Sequence, residues 1–149
     1  MSEDPRVIEG RNSEERIQFA IEALKESEIV RNVIASTPFS RLDRKGIDFT
    51  VKVWKGKANE VYVQSKSSAA AVREFIGRFG GKEGILDRKL IVLNGNELHS
   101  TEEIQTRFLK GLLEVDDHVK KYGQEQFVLP VEIREKVVKK LSELTLKED

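Results

Sequence analysis

The chain has 149 residues, enough for one domain with a hydrophobic core and too few for two comfortable ones. Its 26 basic and 26 acidic residues cancel, which argues against tight nonspecific binding of nucleic acid but leaves room for a local basic groove. The absence of cysteine excludes disulfides, thiol nucleophiles and cysteine metal sites, and no apolar run is long enough for a membrane span. We therefore expect a soluble, cytoplasmic protein with one domain over residues 1–149.

The first predicted element is an amphipathic helix over residues 13–27, preceded by loose polar residues 1–11. Asn12 and Glu15 have the spacing of a capping box at its start. The apolar residues of its buried face recur at three and four: Ile17, Ala20, Ile21 and Leu24. The following apolar segment, residues 29–36, fits either a further helical turn or a buried extended piece.

From residue 47 the pattern changes to an alternation of period two, which is typical of strands. The apolar set on one predicted face comprises Ile47, Phe49, Val51 and Val53. Residues 55–59 make the predicted turn, and residues 60–66 resume the alternation with Val61 and Val63. The pattern predicts a β-hairpin with one apolar face and one polar face, and the polar face carries Asp48, Gln64 and Lys66.

Helices and one strand are predicted for the rest of the chain. Ser67 or Ser68 caps a helix that Gly80-Gly81 ends, and residues 89–93 form a short buried strand. Ser100 and Glu103 open a long amphipathic helix that ends near Gly123, and a last helix begins near Pro130. This order predicts an α/β domain with a mixed β-sheet flanked by helices. Its core covers about residues 12–95, and residues 96–149 form a helical C-terminal extension that either docks on the core or binds a partner.

The polar face of the hairpin holds the groups that phosphodiester hydrolysis requires. One or two Mg²⁺ ions can stabilise charge on a phosphate, activate water and assist the leaving oxygen. Mg²⁺ prefers oxygen ligands and keeps several waters, so a few side chains suffice to bind it. Asp48 offers a carboxylate, Gln64 an amide oxygen, and Lys66 an ammonium for the water or the transition state. The i,i+2 spacing of Gln64 and Lys66 places both on one strand face.

Residues 46–49 (GIDF) followed by residues 61–68 (VYVQSKSS) resemble the PD-(D/E)xK nuclease superfamily, which has the restriction-endonuclease-like fold. The resemblance covers about residues 12–95, including the order of leading helix, Asp strand, x-K strand, helix and buried strand. It implies that Asp48 and Gln64 bind metal and that Lys66 is catalytic. Some family members add an acidic residue from the first helix, and Glu14 is the preferred candidate because it lies nearest the apolar stripe.

The resemblance further implies Mg²⁺ as cofactor, with Mn²⁺ as the alternative, and DNA as the nucleic-acid partner. Many family members act as dimers so that both strands are cut, which makes a homodimer an expectation here. The chain departs from the family pattern at two positions. Ile47 stands where the pattern has a loosely kept proline, and Gln64 stands where it has Asp or Glu, so one negative charge beside the metal is lost.

Three hypotheses remain open on this basis. The first is a metal-dependent endonuclease that hydrolyses phosphodiester bonds in DNA. The second is a catalytically inactive nuclease-fold module that binds nucleic acid or a protein partner, which Gln64 and the zero net charge favour. The third is an α/β interaction domain that dimerises through its C-terminal helix.

Several other residues have a functional and a plain structural interpretation. Trp54 either stacks on a base or packs against the hairpin turn, and we expect packing. His99 and His118 are interpreted as ordinary surface residues. The basic residues near the hairpin in sequence are interpreted mainly as a solvated face, with phosphate contacts as the alternative: Arg41, Arg44, Lys45, Lys55, Lys57, Arg73 and Arg78.

Overall fold

A computed structural model of the chain describes residues 5–37, 40–41, 46–56, 58–122 and 127–147. Its strands are β1 (Asn32–Ala35), β2 (Phe49–Lys52), β3 (Glu60–Lys66) and β4 (Leu90–Asn94). Its α-helices are α1 (Pro5–Glu22), α2 (Ala69–Arg78), α3 (Gly81–Asp87), α4 (Thr101–Tyr122) and α5 (Val131–Lys147), and a 3₁₀ helix spans Ala23–Ser27.

Across the described ranges, the four strands form one mixed sheet in the order β1-β2-β3-β4. β1, β2 and β3 pair antiparallel, whereas β3 and β4 pair parallel, with α2 and α3 forming the crossover between them. Because β3 and β4 are parallel, their carboxyl ends meet at one edge, where Lys66 pairs with Asn94. The prediction of an α/β chain with a mixed sheet flanked by helices is confirmed.

The sheet lies between two layers of helices. On one face, α1, α4 and α5 bury the main core, to which β3 contributes Val61 and Val63. On the other face, α2 and α3 cover a smaller cluster of Ile47, Phe75, Ile85 and Leu90. Among the helices that the structure describes, none is long and apolar enough to cross a membrane.

The first helix begins earlier than the sequence pattern predicted. α1 starts at Pro5, so the expectation that residues 1–11 are loose is wrong for residues 5–11, and Asn12 lies inside the helix instead of capping it. Proline suits a first helical turn because the missing N–H has no intrahelical partner there. The predicted end at residue 27 holds only as a 3₁₀ segment after Glu22. Residues 1–4 lie outside the described ranges.

Most of the remaining predicted elements are confirmed. The hairpin forms with Phe49 opposite Val63, and Ser68 caps α2 by accepting a 3.1 Å hydrogen bond from the Ala71 N–H. The ambiguous segment 29–36 contains β1. The predicted turn at 55–59 includes Lys57, which lies outside the described ranges. The predicted helix end at Gly123 falls in residues 123–126, which also lie outside them.

One local prediction is wrong, and one helix was missed. Ile47 was expected on the apolar face shared by Phe49, but it packs in the smaller cluster on the opposite side. Ile47 precedes β2 and follows Gly46, whose φ of +78° turns the chain, so strand alternation does not extend to it. α3 was not predicted, because Gly80-Gly81 was interpreted only as a stop.

The C-terminal helix docks on the rest of the chain. Val137 and Leu144 of α5 are buried in the main core together with Phe127. The Trp54 ring packs 5.0 Å from the Phe127 ring, which supports the packing interpretation of Trp54. The carboxylate of Asp116 in α4 is fully buried and accepts a hydrogen bond of 2.8 Å from the Leu129 N–H, which fixes the segment leading into α5.

Candidate functional site

Asp48 lies one residue before β2, beside the carboxyl end of β3. Its backbone N–H donates to the Val63 carbonyl at 2.8 Å, and its side-chain Oδ2 accepts a 2.7 Å hydrogen bond from the Ser65 N–H. The carboxylate therefore extends the β2–β3 ladder by one step in place of a backbone carbonyl. Ser65 separates Gln64 from Lys66, so this bond holds the carboxylate next to both residues.

The Gln64 side chain is buried, with 8% of its surface exposed. Its Nε2 makes a long contact of 3.4 Å to the Ser65 carbonyl, whereas its Oε1 has no hydrogen-bond partner among the residues that the structure describes. A Cβ built on Gly46 would lie 3.7 Å from that oxygen and 3.0 Å from the Phe75 ring. Burying an unpaired carbonyl costs about 1–3 kcal/mol. Burial of the amide oxygen therefore destabilises the folded state, and a ligand that binds this oxygen would offset that loss.

Lys66 ends β3 on the same strand face as Gln64. Its Nζ lies 4.9 Å from the centre of the Phe75 ring, and its side chain is half-buried. The ammonium forms no ion pair within the described ranges, and the ring face supports its position. A half-buried ammonium beside a carboxylate and an amide oxygen suits the binding of a phosphate group.

Glu14 lies on α1, and its side chain is exposed. The preceding residue, Ser13, is fully buried against the end of β4, because a Cβ on Gly95 would lie 2.3 Å from the Ser13 carbonyl oxygen. The Gly95 N–H donates to the Lys66 carbonyl at 2.8 Å. The fold thus places Asp48, which precedes β2, next to the end of β3 that carries Gln64 and Lys66. It places Glu14 on the helix that packs against the same end of the sheet.

Three residues that support this end of the sheet were missed in the sequence. Phe75 contacts the site through Lys66 and Gly46. Arg16 donates from Nη1 to the Gly95 carbonyl at 2.8 Å, and Asn96 donates from Nδ2 to the Ser67 carbonyl at 2.9 Å. These contacts join residues far apart in the chain, so no local spacing could have indicated them. The apolar period of α2 included Phe75, but that pattern indicated a core residue and not a site residue.

The two histidines pair with carboxylates other than Asp48 and Glu14. His118 is buried with its Nε2 2.6 Å from Asp87 Oδ1, so the prediction of an ordinary surface histidine is wrong for this residue. His99 Nδ1 lies 3.1 Å from Glu103 Oε2, and this hydrogen bond is the main cause that lowers the pKa of Glu103. In the part of the chain that is described, no group of three His, Cys, Asp or Glu side chains could hold a metal.

The chemistry of the site follows from its donors. Asp48 supplies one carboxylate and Gln64 one uncompensated amide oxygen, both hard oxygen donors on neighbouring strands. Two such donors fit Mg²⁺, which keeps several waters and needs few protein ligands. They do not fit a structural zinc ion, which takes four nitrogen or sulfur ligands as a rule. The arrangement therefore suits a weakly held divalent cation next to a lysine.

Comparison of the chain with protein-family models, curated proteins and solved structures found no significant match.

Proposed function

We propose that the protein is a metal-dependent nuclease-like enzyme with the restriction-endonuclease-like fold, which hydrolyses phosphodiester bonds in DNA. The observation that carries the proposal is the buried Oε1 of Gln64, which has no hydrogen-bond partner among the described residues. The next residue, Ser65, binds the Asp48 carboxylate, and Lys66 follows on the same strand face. The order of elements supports it as well. α1 precedes the strand opened by Asp48, β3 carries Gln64 and Lys66, and α2 and β4 follow.

In this proposal Asp48 and Gln64 hold Mg²⁺ or Mn²⁺, and Glu14 is the third ligand. The bound cation would polarise the scissile phosphate and lower the pKa of an attacking water. Asp48 contributes a carboxylate that its bond with the Ser65 N–H already orients. Lys66 places its charge where negative charge develops in the transition state, and a fixed charge there costs no reorganisation during the reaction.

The cleavage experiment uses the purified full chain with plasmid, linear and branched DNA in Mg²⁺ and in Mn²⁺. We expect cleavage by the wild type and a loss of at least about 100-fold in Lys66→Ala and Asp48→Ala, the range for removing a catalytic group. Lys52→Ala is the matched control, because Lys52 ends β2 at the other end of the hairpin. Cleavage that survives both site substitutions would arise from a contaminant and would refute the proposal.

A second experiment tests the metal ligand by stability. Gln64→Glu adds a negative charge beside Asp48, so without metal we expect it to unfold more easily than the wild type. Mg²⁺ should then raise the melting temperature of the variant more than that of the wild type, because ligand binding stabilises the folded state. We expect the Mg²⁺ concentration for half-maximal stabilisation to fall about tenfold, which corresponds to about 1.4 kcal/mol. An equal response in both proteins would remove Gln64 from the metal site.

The alternative function is a nuclease-fold module without catalysis that binds nucleic acid or a protein. Gln64 favours this alternative because a neutral amide gives a divalent cation less attraction than a carboxylate. Binding of DNA by the wild type with no cleavage in either metal would support the module. Rescue of cleavage by Gln64→Glu would then identify this one position as the cause.

A further inference from the structure

Three cations on the α2–α3 side of the sheet lie over aromatic rings, and within the described ranges they form no ion pair with a carboxylate. Lys66 Nζ is 4.9 Å and Arg78 Cζ is 6.0 Å from the centre of the Phe75 ring. Arg88 Cζ lies 4.8 Å from the centre of the Phe79 ring. The two rings contact each other, with centres 4.6 Å apart and planes tilted by 30°. We call these five residues the cation–aromatic patch.

Ion pairing distinguishes the patch from part of the protein's charged surface. Several basic side chains pair with carboxylates, as in Lys82–Glu114 at 2.7 Å, Lys136–Glu28 at 2.9 Å and Arg134–Asp117 at 3.1 Å. Within the described ranges, Lys66, Arg78 and Arg88 have no such partner. Glu74 precedes Arg78 by one helical turn, yet it forms no ion pair with it. The patch therefore keeps its positive charges available for an external anion.

The chemistry of the patch favours phosphate as that anion. A ring face attracts a cation without cancelling its charge, so the outer N–H groups remain available to donate hydrogen bonds to an anion. Arginine presents a planar fork of donors that matches a phosphate in two parallel hydrogen bonds. Neighbouring cations repel one another, and an anion that bridges them removes this cost. Arg78 and Arg88 are exposed, and Lys66 joins them to the candidate site.

We propose that the cation–aromatic patch binds the sugar–phosphate backbone of the nucleic acid, with Arg78 and Arg88 each contacting one phosphate. The patch lies on the α2–α3 side of the sheet. A nucleic-acid strand bound there would run away from α1 and across α2 and α3. Lys66 belongs both to the patch and to the candidate site. The scissile phosphate would therefore lie at the Lys66 end of the bound backbone. This inference rests on the proposed function and names the surface that holds its substrate.

The test measures how binding depends on salt. A short fluorescent DNA duplex is titrated with the full chain at several KCl concentrations, in the presence of chelator so that no metal-dependent cleavage occurs. Each phosphate contact contributes about 0.9 to the slope of log affinity against log salt. Arg78→Gln combined with Arg88→Gln should therefore reduce the slope by about 1.8. Lys25→Gln combined with Lys139→Gln removes the same charge from exposed positions outside the patch and should leave the slope nearly unchanged.

A charge-conserving variant separates phosphate contacts from packing. Arg78→Lys combined with Arg88→Lys keeps both charges, so it should keep the wild-type slope even where its affinity is lower. If this variant loses as much slope as the glutamine variant, the arginines act through packing on the rings and the inference is wrong. Melting temperatures of all variants, which replace exposed side chains, should stay close to that of the wild type.

Failure of the inference and failure of the proposed function give different results. An unchanged slope in the glutamine variant, with a wild type that cleaves DNA, overturns the patch and leaves the enzyme. A reduced slope with no cleavage by the wild type supports the patch and refutes the active nuclease. A wild type that neither binds nor cleaves DNA refutes both.

Discussion

At the scale of single residues, the buried amide oxygen of Gln64 destabilises the fold and at the same time offers a donor atom for a ligand. A buried amide oxygen without a partner is rare in folded proteins, because the group loses its water and gains nothing in return. Gln105 provides the contrast within the same chain. It is equally buried, with 7% of its surface exposed, and its Nε2 donates to the Ala20 carbonyl at 3.0 Å. The two glutamines therefore differ in what their amides bind, and burial does not distinguish them.

This contrast gives a prediction about stability. Gln64→Met keeps the side-chain length but removes the unpaired oxygen, so we expect the free energy of unfolding to rise by about 1 kcal/mol. Gln105→Met breaks a hydrogen bond and should lower the same free energy by about 1 kcal/mol. Denaturant titration of both variants measures the difference. We also expect Gln64→Met to lose metal-dependent cleavage, so that stability and activity change in opposite directions.

If Gln64→Met is less stable than the wild type, the amide has a stabilising partner in solution and the argument for a ligand at Oε1 fails. The same titration with saturating Mg²⁺ provides the control for metal. There the wild type should gain stability and the variant should not.

At the scale of elements, the candidate site depends on how closely α1 approaches the end of β4. The carbonyl oxygen of Ser13 occupies the space that a side chain at residue 95 would need. Arg16, one turn further along α1, holds the Gly95 carbonyl from the other side. The helix that carries Glu14 is thereby fixed against the strand that pairs with Lys66.

A methyl group at Gly95 should separate these two elements. Its carbon would lie 2.3 Å from a backbone oxygen, which cannot rotate away, so we expect Gly95→Ala to cost about 1–3 kcal/mol of stability. Gly77 in α2 is the control, since a Cβ there meets nothing within 4 Å. Gly77→Ala should stabilise the protein by up to about 1 kcal/mol because alanine favours helix. Equal melting temperatures for the two variants would contradict the close approach.

The start of α4 gives a prediction about pH. Ser100 and Glu103 form the predicted capping box, in which the Glu103 N–H donates to Ser100 Oγ at 3.1 Å. The hydrogen bond with His99 lowers the pKa of Glu103, so the folded state favours the ionised form. A lowered carboxyl pKa adds stability at higher pH, and this contribution disappears as the pH falls through the folded-state pKa, which lies below the usual value of a glutamate. The loss therefore occurs on the acid side.

Melting temperatures measured across the acid range test this sign. Glu103→Gln lacks the ionisable group, so its melting temperature should fall less steeply than that of the wild type below about pH 4.3. Glu102→Gln removes a charge one residue earlier and should follow the wild-type curve. A parallel fall in all three proteins would show that the His99 bond does not persist in solution.

The sequence predicted elements where the signal is local. Apolar period and capping residues located α2 and α4, a continuous apolar run located β4, and alternation located the hairpin with its three polar residues. The start of α1 was missed because polar residues 5–11 have no apolar stripe to mark them. Of the site, the motif indicated Asp48, Gln64 and Lys66. The supporting contacts depend on tertiary packing, as when Arg16 reaches a carbonyl 79 residues away, and no local pattern encodes that pairing.

At the scale of the whole molecule, α4 and α5 belong to the same core as the sheet that carries the site. Asp116 is the polar connection between them: besides the Leu129 N–H, its carboxylate accepts hydrogen bonds from Lys120 Nζ at 2.9 Å and from Arg134 Nη1. The apolar stripe of α5 is used inside the chain, where Val137 is fully buried. A dimer built on this stripe would have to expose the main core.

Removing the buried carboxylate should loosen the C-terminal helix. Asp116→Ala leaves the Leu129 N–H unpaired and removes one partner of Arg134, so we expect a loss of about 3–5 kcal/mol. Asp117→Ala is the matched control, because Asp117 also pairs with Arg134 but has 63% of its side chain exposed. That exposed pair should be worth less than about 1 kcal/mol. Comparable losses in the two variants would show that burial of Asp116 is unimportant.

The order of site residues and core residues along the chain has a consequence for folding during synthesis. Every residue of the candidate site precedes residue 97, whereas much of the core beneath it, from Phe108 to Leu144, comes later. A nascent chain therefore exposes the site residues before the helices that brace them have left the ribosome. Because domains fold as units once their core is complete, the site becomes rigid only when translation is nearly finished. A truncated chain would carry the whole site motif and still lack the core that holds these residues in place.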